Sequence, residues 1–169
     1  MMNKLLILIF LITLISTVNG AELSTITLKQ WNKEELSEDH LRFSHPEKKG
    51  IVLHLQIDSY DKNNFWKKET LKEDIEKMAA IRKTMSFFLG ISDYAITSYK
   101  LETTTQRPQL SITGSYSRLD NQLIQFSETN FYGNENFLQL KIISEDQLPS
   151  DKEIKELIKE INPNILDID

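Results

Sequence analysis

The chain has 169 residues, of which 27% are charged; its formal net charge is −5 at pH 7, and it contains no cysteine. The absence of cysteine excludes disulfide bonds, thiolate metal ligands, a cysteine nucleophile and a lipid-modified N-terminal cysteine. An acidic chain without a basic stripe also argues against nucleic-acid binding, because that function depends on clustered lysines and arginines that neutralise phosphates.

The first twenty residues have the pattern of a secretory signal peptide. Lys4 precedes an apolar run from Leu5 to Ile15, and Val18-Asn19-Gly20 supplies small residues before Ala21. A helix of this apolar run would rise only about 16 Å, against a bilayer core of about 30 Å, so a membrane-spanning anchor is not expected. We therefore expect residues 1–20 to be cleaved, leaving no stable membrane anchor, and the protein to act in the periplasm or outside the cell.

The rest of the chain is predicted to contain an arm and one domain. Residues 21–40 mix short apolar pieces with charged runs, which predicts an irregular N-terminal arm with one or two short strands. Residues 41–169 have the usual length of a single domain. Within it, Ile51–Ile57 alternates apolar and polar residues, which indicates a strand.

The strongest periodic pattern predicts a helix from Leu71 to Leu89. A Thr70-x-x-Glu73 capping box precedes it, Glu73 and Lys77 are spaced for a favourable charge pair, and Gly90 is placed for a left-handed C-terminal cap. The apolar residues of the helix fall on one side, and we expect this side to pack on the following strands. The predicted stripe consists of Leu71, Ile75, Met78, Ile81, Met85, Phe88 and Leu89.

Four strand-like segments follow this helix with short connections, which favours antiparallel hairpins and excludes parallel crossovers. They span about 94–104, 109–119, 123–131 and 137–144. A second helix is predicted from Asp151 to Asn162, between a Ser150-x-x-Glu153 capping box and Pro163. The predicted fold class is α+β, an antiparallel meander sheet of about five strands covered by a long central helix and a C-terminal helix.

This order of elements resembles the PsbP-like family, whose members are α/β/α sandwiches. LRFSHPEKKGIVLHLQID at residues 41–58 is similar to the opening hairpin of the family with its Phe-x-x-Pro turn. FLQLKIISEDQLPSDKEIKELIKEI at residues 137–161 is similar to the last strand and closing helix. The resemblance spans residues 41–162 and implies a binding or assembly module without a shared catalytic motif, so no site residue is carried over from it.

The sequence contains no strong catalytic motif. The glycines after residue 20 are too far apart for a phosphate-binding loop, and no Gly-x-Ser-x-Gly elbow is present. His40 and His45 are weak candidates for a metal site completed by a nearby carboxylate, although solvated histidines in a polar segment are the simpler interpretation. We therefore assign no catalytic residue, no cofactor and no metal ligand.

Three residues are candidates for binding a partner. Phe65 and Trp66 lie in the loop NNFWKK at residues 63–68, where they either fold back onto the domain, which we favour, or remain exposed as aromatic anchors. Arg82 lies inside or at the edge of the apolar stripe of the helix. Its guanidinium is expected to reach a carboxylate or water, and the alternative is a site for an anion or for a carboxylate of a partner.

The sequence as a whole predicts an exported binding or assembly module with a protein partner in the cell envelope or outside the cell. One alternative is a small hydrolase or metal-dependent enzyme that uses His40, His45 and nearby carboxylates. Another is an inhibitor or immunity-type protein, and a further one is binding of a small ligand within the sandwich.

Overall fold

The computed structural model describes residues 23–48, 50–61, 65–103, 108–133 and 136–161. The predicted signal peptide lies outside these ranges, as do the two asparagines of NNFWKK and the predicted end of the last helix at Asn162. Neither helix in the described ranges is long and apolar enough to cross a membrane.

The described residues form one antiparallel sheet of seven strands with two helices. The order across the sheet is β1-β2-β3-β7-β6-β5-β4. The predicted α+β class and meander are confirmed, with seven strands instead of about five. The elements in chain order are β1 (Asn32–Ser37), β2 (His40–Ser44), β3 (Ile51–Ser59), α1 (Leu71–Phe88), β4 (Ser92–Glu102), β5 (Gln109–Ser117), β6 (Leu123–Tyr132), β7 (Asn136–Ser144) and α2 (Asp151–Ile161).

Two antiparallel runs of strands meet in the middle of this sheet. β1, β2 and β3 follow one another from one edge, and α1 then carries the chain to β4 at the opposite edge. The meander from β4 to β7 returns the chain, so that β7 pairs with β3. Part of the segment predicted as an arm thus joins the sheet, because residues 32–37 pair with β2.

One face of the sheet is covered by α2 and by residues 23–28. Alternate side chains of β2, β3 and β7 point into this core, as strand geometry requires. α2 begins at the predicted capping box, in which the Ser150 backbone N–H and hydroxyl both donate to the Glu153 carboxylate at 2.8 Å. The core consists of Leu23, Ile26, Leu28, Leu41, Phe43, Leu53, Leu55, Ile57, Phe131, Leu138, Leu140, Ile142, Leu157 and Ile161.

α1 lies on the other face, over the half of the sheet formed by β4, β5 and β6. Its first half packs on a smaller core, whose buried members are Leu71, Ile75, Leu110, Ile112, Phe126 and Tyr132. The helix ends as predicted, with Gly90 in the left-handed region at φ 70° and the Ile91 N–H donating to the Ser86 carbonyl at 2.9 Å. The predicted Glu73–Lys77 pair is present at 2.8 Å.

Two predictions about α1 are wrong. The Thr70 hydroxyl donates to the Asp74 carboxylate at 2.6 Å and does not cap the helix backbone. The apolar stripe faces the sheet only in the first half, because Ser86 is buried while Met85 and Phe88 are 61% and 83% exposed. The helix is therefore turned away from the orientation that its apolar residues predict.

Gly114, in β5, is more tightly enclosed by its neighbours than Gly50 or Gly90. A Cβ atom at this position would lie 2.2 Å from the Ala95 carbonyl oxygen and 2.5 Å from the Phe126 ring. Neither the β4 backbone nor a packed aromatic ring can move away without loss of contacts. Glycine is therefore required here by packing.

We expect Gly114→Ala to lower the free energy of unfolding by about 1–3 kcal/mol, because the added methyl group overpacks this point. Urea denaturation monitored by circular dichroism measures the change. Ser115→Ala, at the next position on the opposite face of β5, is the control and should change stability by less than about 0.5 kcal/mol. Equal effects of the two substitutions would contradict this role of Gly114.

Candidate functional site

The face of the sheet that carries α1 is only partly covered. Beyond the helix, β2, β3 and β7 place polar side chains such as His54, Gln56 and Lys141 on this face, and these are half-exposed. Their sequence neighbours on the opposite face, such as Leu55 and Leu140, are buried. A polar half-sheet therefore lies open beside α1.

The strand register lines up charged side chains across this face. Glu34 lies opposite Arg42, and Arg42 lies opposite His54. The line continues from His54 to Lys141 and from Lys141 to Glu128. Cross-strand neighbours have Cβ atoms about 4.5–5.5 Å apart, so their charges interact. These five residues, from β1 to β6, form the charged row.

Arg82 contacts the charged row from α1. Its two terminal nitrogens donate to the two carboxylate oxygens of Glu128, each at 2.9 Å, and Nη1 also donates to the Tyr94 hydroxyl at 3.2 Å. Burial raises the pKa of the Glu128 carboxyl, but the hydrogen bonds and charge of Arg82 outweigh it, so the pKa lies below the ordinary value. The carboxylate expected to receive Arg82 is therefore Glu128, which is 1% exposed.

Lys141 is the cation of the charged row that makes no hydrogen bond or ion pair within the described part of the chain. Its Nζ lies 5.8 Å from the centroid of the Phe126 ring. Burial lowers the pKa of the Lys141 ammonium, and the attraction of Glu128 only partly offsets this. A half-buried ammonium of this kind favours an incoming carboxylate or other acceptor.

The two histidines of this face interact with each other. His40 Nε2 and His54 Nδ1 are 2.9 Å apart. A hydrogen bond at this distance joins one N–H to one lone pair, so at least one ring is neutral. Burial, followed by the charge of His40, lowers the pKa of His54 to about 4. The His54 ring is therefore neutral at neutral pH.

His45, the other weak metal candidate, has different neighbours from His40. Its Nδ1 accepts the backbone N–H groups of Glu47 and Lys48, and its ring meets Trp31 edge-on at 5.1 Å. Over the part of the chain that the structure describes, no three histidine, aspartate or glutamate side chains are arranged to hold a metal ion.

The three residues predicted to bind a partner line one groove of about 700 Å³ beside α1. The Trp66 Nε1–H donates to the Tyr132 hydroxyl at 2.7 Å, and the Phe65 ring meets Tyr132 edge-on at 5.1 Å. Both aromatic side chains are half-buried, so Phe65 and Trp66 fold back onto β6 as favoured and still contribute to the groove. The α1 wall of the groove consists of Asp74, Lys77, Met78, Ile81, Arg82 and Met85, with Thr70 just before the helix.

The groove continues into an exposed apolar surface, four of whose members, Ile81, Met85, Phe88 and Leu89, the sequence analysis assigned to the core. We call it the α1 apolar surface. The signals that could have revealed it are Arg82 and Ser86, which interrupt the stripe and face the sheet instead. Leu119, in the turn after β5, joins the surface beside Gly90. Its members are Ile81, Met85, Phe87, Phe88, Leu89 and Leu119, each at least 60% exposed.

Replacement of Arg82 tests how much the buried ion pair with Glu128 contributes to the free energy of unfolding. We expect Arg82→Met to lower the free energy of unfolding by about 3–5 kcal/mol at pH 7, because Glu128 is left charged and unpaired. Lys83→Met, the adjacent exposed position, is the matched control in the same urea titration. A loss below about 1 kcal/mol for Arg82→Met would show that Glu128 is satisfied without it.

The ion pair between Arg82 and Glu128 also predicts how the stability lost in Arg82→Met depends on pH. The pKa of Glu128 is depressed in the folded state, so its contribution is present above the ordinary value of 4.5 and is lost as the pH falls through the lower, folded value. In Arg82→Met, burial raises the pKa of Glu128 against only the Lys141 charge and the Asn130 hydrogen bond, so the pKa is higher than in the parent. The variant should therefore recover part of its lost stability as the carboxyl is protonated, which urea titrations at several pH values measure.

His54 predicts a second pH dependence. The unfolded chain protonates this ring near the ordinary pKa of 6.5, whereas the folded protein holds it neutral down to about pH 4. The unfolded state therefore binds more protons in this window, and stability should rise with pH between about 4 and 6.5. NMR titration of the ring should give the low pKa directly. His54→Gln should flatten this part of the stability profile, and an unchanged profile would contradict the assignment.

Comparison with known proteins gives matches among solved structures alone, since no family model and no curated protein match the chain. The cyanobacterial PsbP protein CyanoP from Synechocystis sp. PCC 6803 is similar over 80% of each chain, with 8% identity and a TM-score of 0.54. A protein from Bacteroides thetaiotaomicron is 11% identical over 75% of this chain and 39% of its own, with a TM-score of 0.45.

The immunity protein TplEi of the T6SS from Pseudomonas aeruginosa, solved in complex with the "L" peptide, is 14% identical. The match covers 80% of this chain and 53% of that one, with a TM-score of 0.41. The chain thus matches less than two thirds of the length of the Bacteroides and Pseudomonas proteins. At such identities the similarity to CyanoP concerns the fold. This protein has a PsbP-like fold, as its order of elements predicted.

Proposed function

We propose that this protein is an exported binding module that recognises a protein partner through the groove and the α1 apolar surface. The observation that carries the proposal is the exposure of the second half of α1, where Phe88 is 83% exposed on a helix that otherwise packs on the sheet. The α1 apolar surface contains six large apolar side chains, each at least 60% exposed. Large exposed apolar patches on soluble proteins mark interaction sites.

The charges around the groove indicate the chemistry of the partner. Lys67 lines the groove and Lys83 follows Arg82 on α1, and neither makes an ion pair with the residues described. Lys141, on β7 of the same face, makes no ion pair with the described residues either. The acid in the groove, Asp74, already accepts the Thr70 hydroxyl. The partner segment is therefore apolar, with aliphatic or aromatic side chains, and carries acidic residues beside them.

The half-buried aromatic residues fit a role as fixed contacts. Trp66 is held by its hydrogen bond to Tyr132, so little side-chain entropy remains to be lost when a partner packs on it. Met78 and Met85, on the opposite wall, are flexible apolar side chains that adapt to different partner shapes. A rigid wall facing an adaptable one suits recognition of a peptide or helix.

Export is part of this proposal and rests on the signal pattern of residues 1–20. The alternative of a small hydrolase or metal-dependent enzyme needs His40 and His45 at one site. These two histidines contact different residues, His54 and Trp31 respectively, so the geometry favours binding over this chemistry.

Site-directed photo-crosslinking tests the partner surface. A photoreactive residue at position 88 should give a crosslink to one protein in the envelope fraction or the culture fluid. The same residue at position 36, where Leu36 is also exposed but lies on β1, is the control and should not give it. The crosslinked peptide of the partner should be apolar with acidic neighbours.

A substitution experiment with the identified partner measures how much the α1 apolar surface contributes to binding affinity. Met85→Ser combined with Phe88→Ser should weaken binding at least about tenfold, which corresponds to about 1.4 kcal/mol. Leu36→Ser should leave binding unchanged, and both variants should unfold at the same urea concentration as the parent, since these side chains are exposed. Equal weakening by both variants, or crosslinks of the same pattern from both positions, would reject the α1 apolar surface as the site.

A further inference from the structure

The residues after α2 have the chemistry that the groove requires of a partner. Residues 162–169 read NPNILDID and lie outside the described ranges. They include aliphatic and acidic side chains and no basic one. The apolar and acidic members are Ile165, Leu166, Asp167, Ile168 and Asp169. The chain thus contains within itself an apolar segment with acidic neighbours.

The groove beside α1 offers complementary groups for such a segment. Cations outnumber acids among its lining residues, since Lys67, Lys77 and Arg82 lie there with Asp74. Lys77 and Arg82 are paired with carboxylates, whereas Lys67 makes no ion pair with the residues described. Lys67 can therefore take an additional carboxylate. The apolar walls of the groove are formed by Phe65, Trp66, Met78, Ile81 and Met85.

The segment is long enough to pass from α2 to the groove. α2 ends at Ile161 on one face of the sheet, and the groove lies on the other face. Adjacent layers pack about 10 Å apart, so the two helix layers are separated by about 20 Å. Residues 162–168 span up to about 23–25 Å when fully extended. Phe131 shares the core with Ile161, and the next residue of β6, Tyr132, holds Trp66 at the groove.

We propose that residues 165–169 occupy the groove of the same chain and close it until a partner displaces them. This inference rests on the proposed function, because it concerns the regulation of the same site. The aliphatic side chains pack between the aromatic wall and the two methionines, and a carboxylate of the segment pairs with Lys67. Tethering gives the segment a high effective concentration at the groove, so contacts too weak to hold a separate peptide are sufficient.

Methionine signals and a spin label test this closure. Beyond residue 2 the only methionines are Met78 and Met85, which both line the groove, and the chain has no cysteine. NMR of methyl-labelled methionine therefore reports on the groove, and a nitroxide attached to Asn164→Cys labels a single position. In the full chain the nitroxide should broaden both methionine signals, relative to its reduced form.

Variants of the segment identify the side chains that hold it. Serine at all three aliphatic positions, which we call the serine variant, should remove most of the broadening. Asn162→Ser, in the same segment, is the matched control and should leave it unchanged. The proposal is overturned if the parent shows no broadening, or if the parent and the serine variant show the same broadening. The serine variant combines Ile165→Ser, Leu166→Ser and Ile168→Ser.

A mixing experiment separates closure within one chain from exchange between two copies. Spin-labelled chains without labelled methionine are mixed with methionine-labelled chains without a nitroxide. Closure within one chain predicts sharp methionine signals in this mixture. Broadening as large as in the doubly labelled chain would assign the groove to a second copy and overturn the proposal.

The partner identified by crosslinking at position 88 tests the regulation. A closed chain binds only through its open fraction, so the serine variant should bind this partner at least about threefold more tightly than the parent. Equal binding by the two chains would refute the regulation and leave the proposed function intact. Conversely, if no protein crosslinks at position 88 but the broadening depends on the aliphatic residues, closure is supported and the proposed function fails.

Discussion

The ion pair between Arg82 and Glu128 sets the orientation of α1 on the sheet. Glu128 is buried in the middle of β6, and a buried carboxylate is tolerated only with a paired, hydrogen-bonded cation. α1 supplies that cation, so the side of the helix with Arg82 and Ser86 must face the sheet. Met85 and Phe88 are consequently carried out to solvent. The exposed apolar surface is thus a consequence of an electrostatic requirement inside the domain.

The two faces of the sheet have different chemical roles. The face under α2 is mainly apolar over β2, β3 and β7, and its packing against residues 23–28 supplies most of the buried hydrocarbon. The face under α1 carries the charged row, including Lys141, whose ammonium makes no ion pair with the residues that the structure describes. The buried charged side chains, which destabilise the fold unless they are paired, thus lie on the opposite face from the main apolar core, which stabilises it.

The features that sequence reasoning predicted correctly are mostly local. The Ser150–Glu153 capping box, the Glu73–Lys77 pair and the left-handed Gly90 each depend on groups within a few residues of one another. The alternation of β3 is local as well, and the short connections after α1 dictated antiparallel pairing. The loop with Phe65 and Trp66 folded back as favoured, because large aromatic side chains are stabilised by burial against their own domain.

The errors on β1 and on the second half of α1 come from pairing between distant segments, whereas the error on the Thr70 cap is local. The strand β1 is polar and charged, so its own pattern does not reveal a place in the sheet that depends on pairing with β2. Thr70 and Ser150 begin similar capping patterns, yet Thr70 bonds to the carboxylate of Asp74 instead. The prediction for the second half of α1 failed because Glu128 lies 46 residues from Arg82.

The amino-acid sequence by itself determined the strands from β3 to β7, the two helices and their order, because periodicity and helix ends depend on near neighbours along the chain. Tertiary structure alone decided which residues form sites. The register of five strands aligned Glu34, Arg42, His54, Lys141 and Glu128 in one row. Register and helix rotation are set by contacts between segments far apart in sequence, whose geometry exists only in the folded chain.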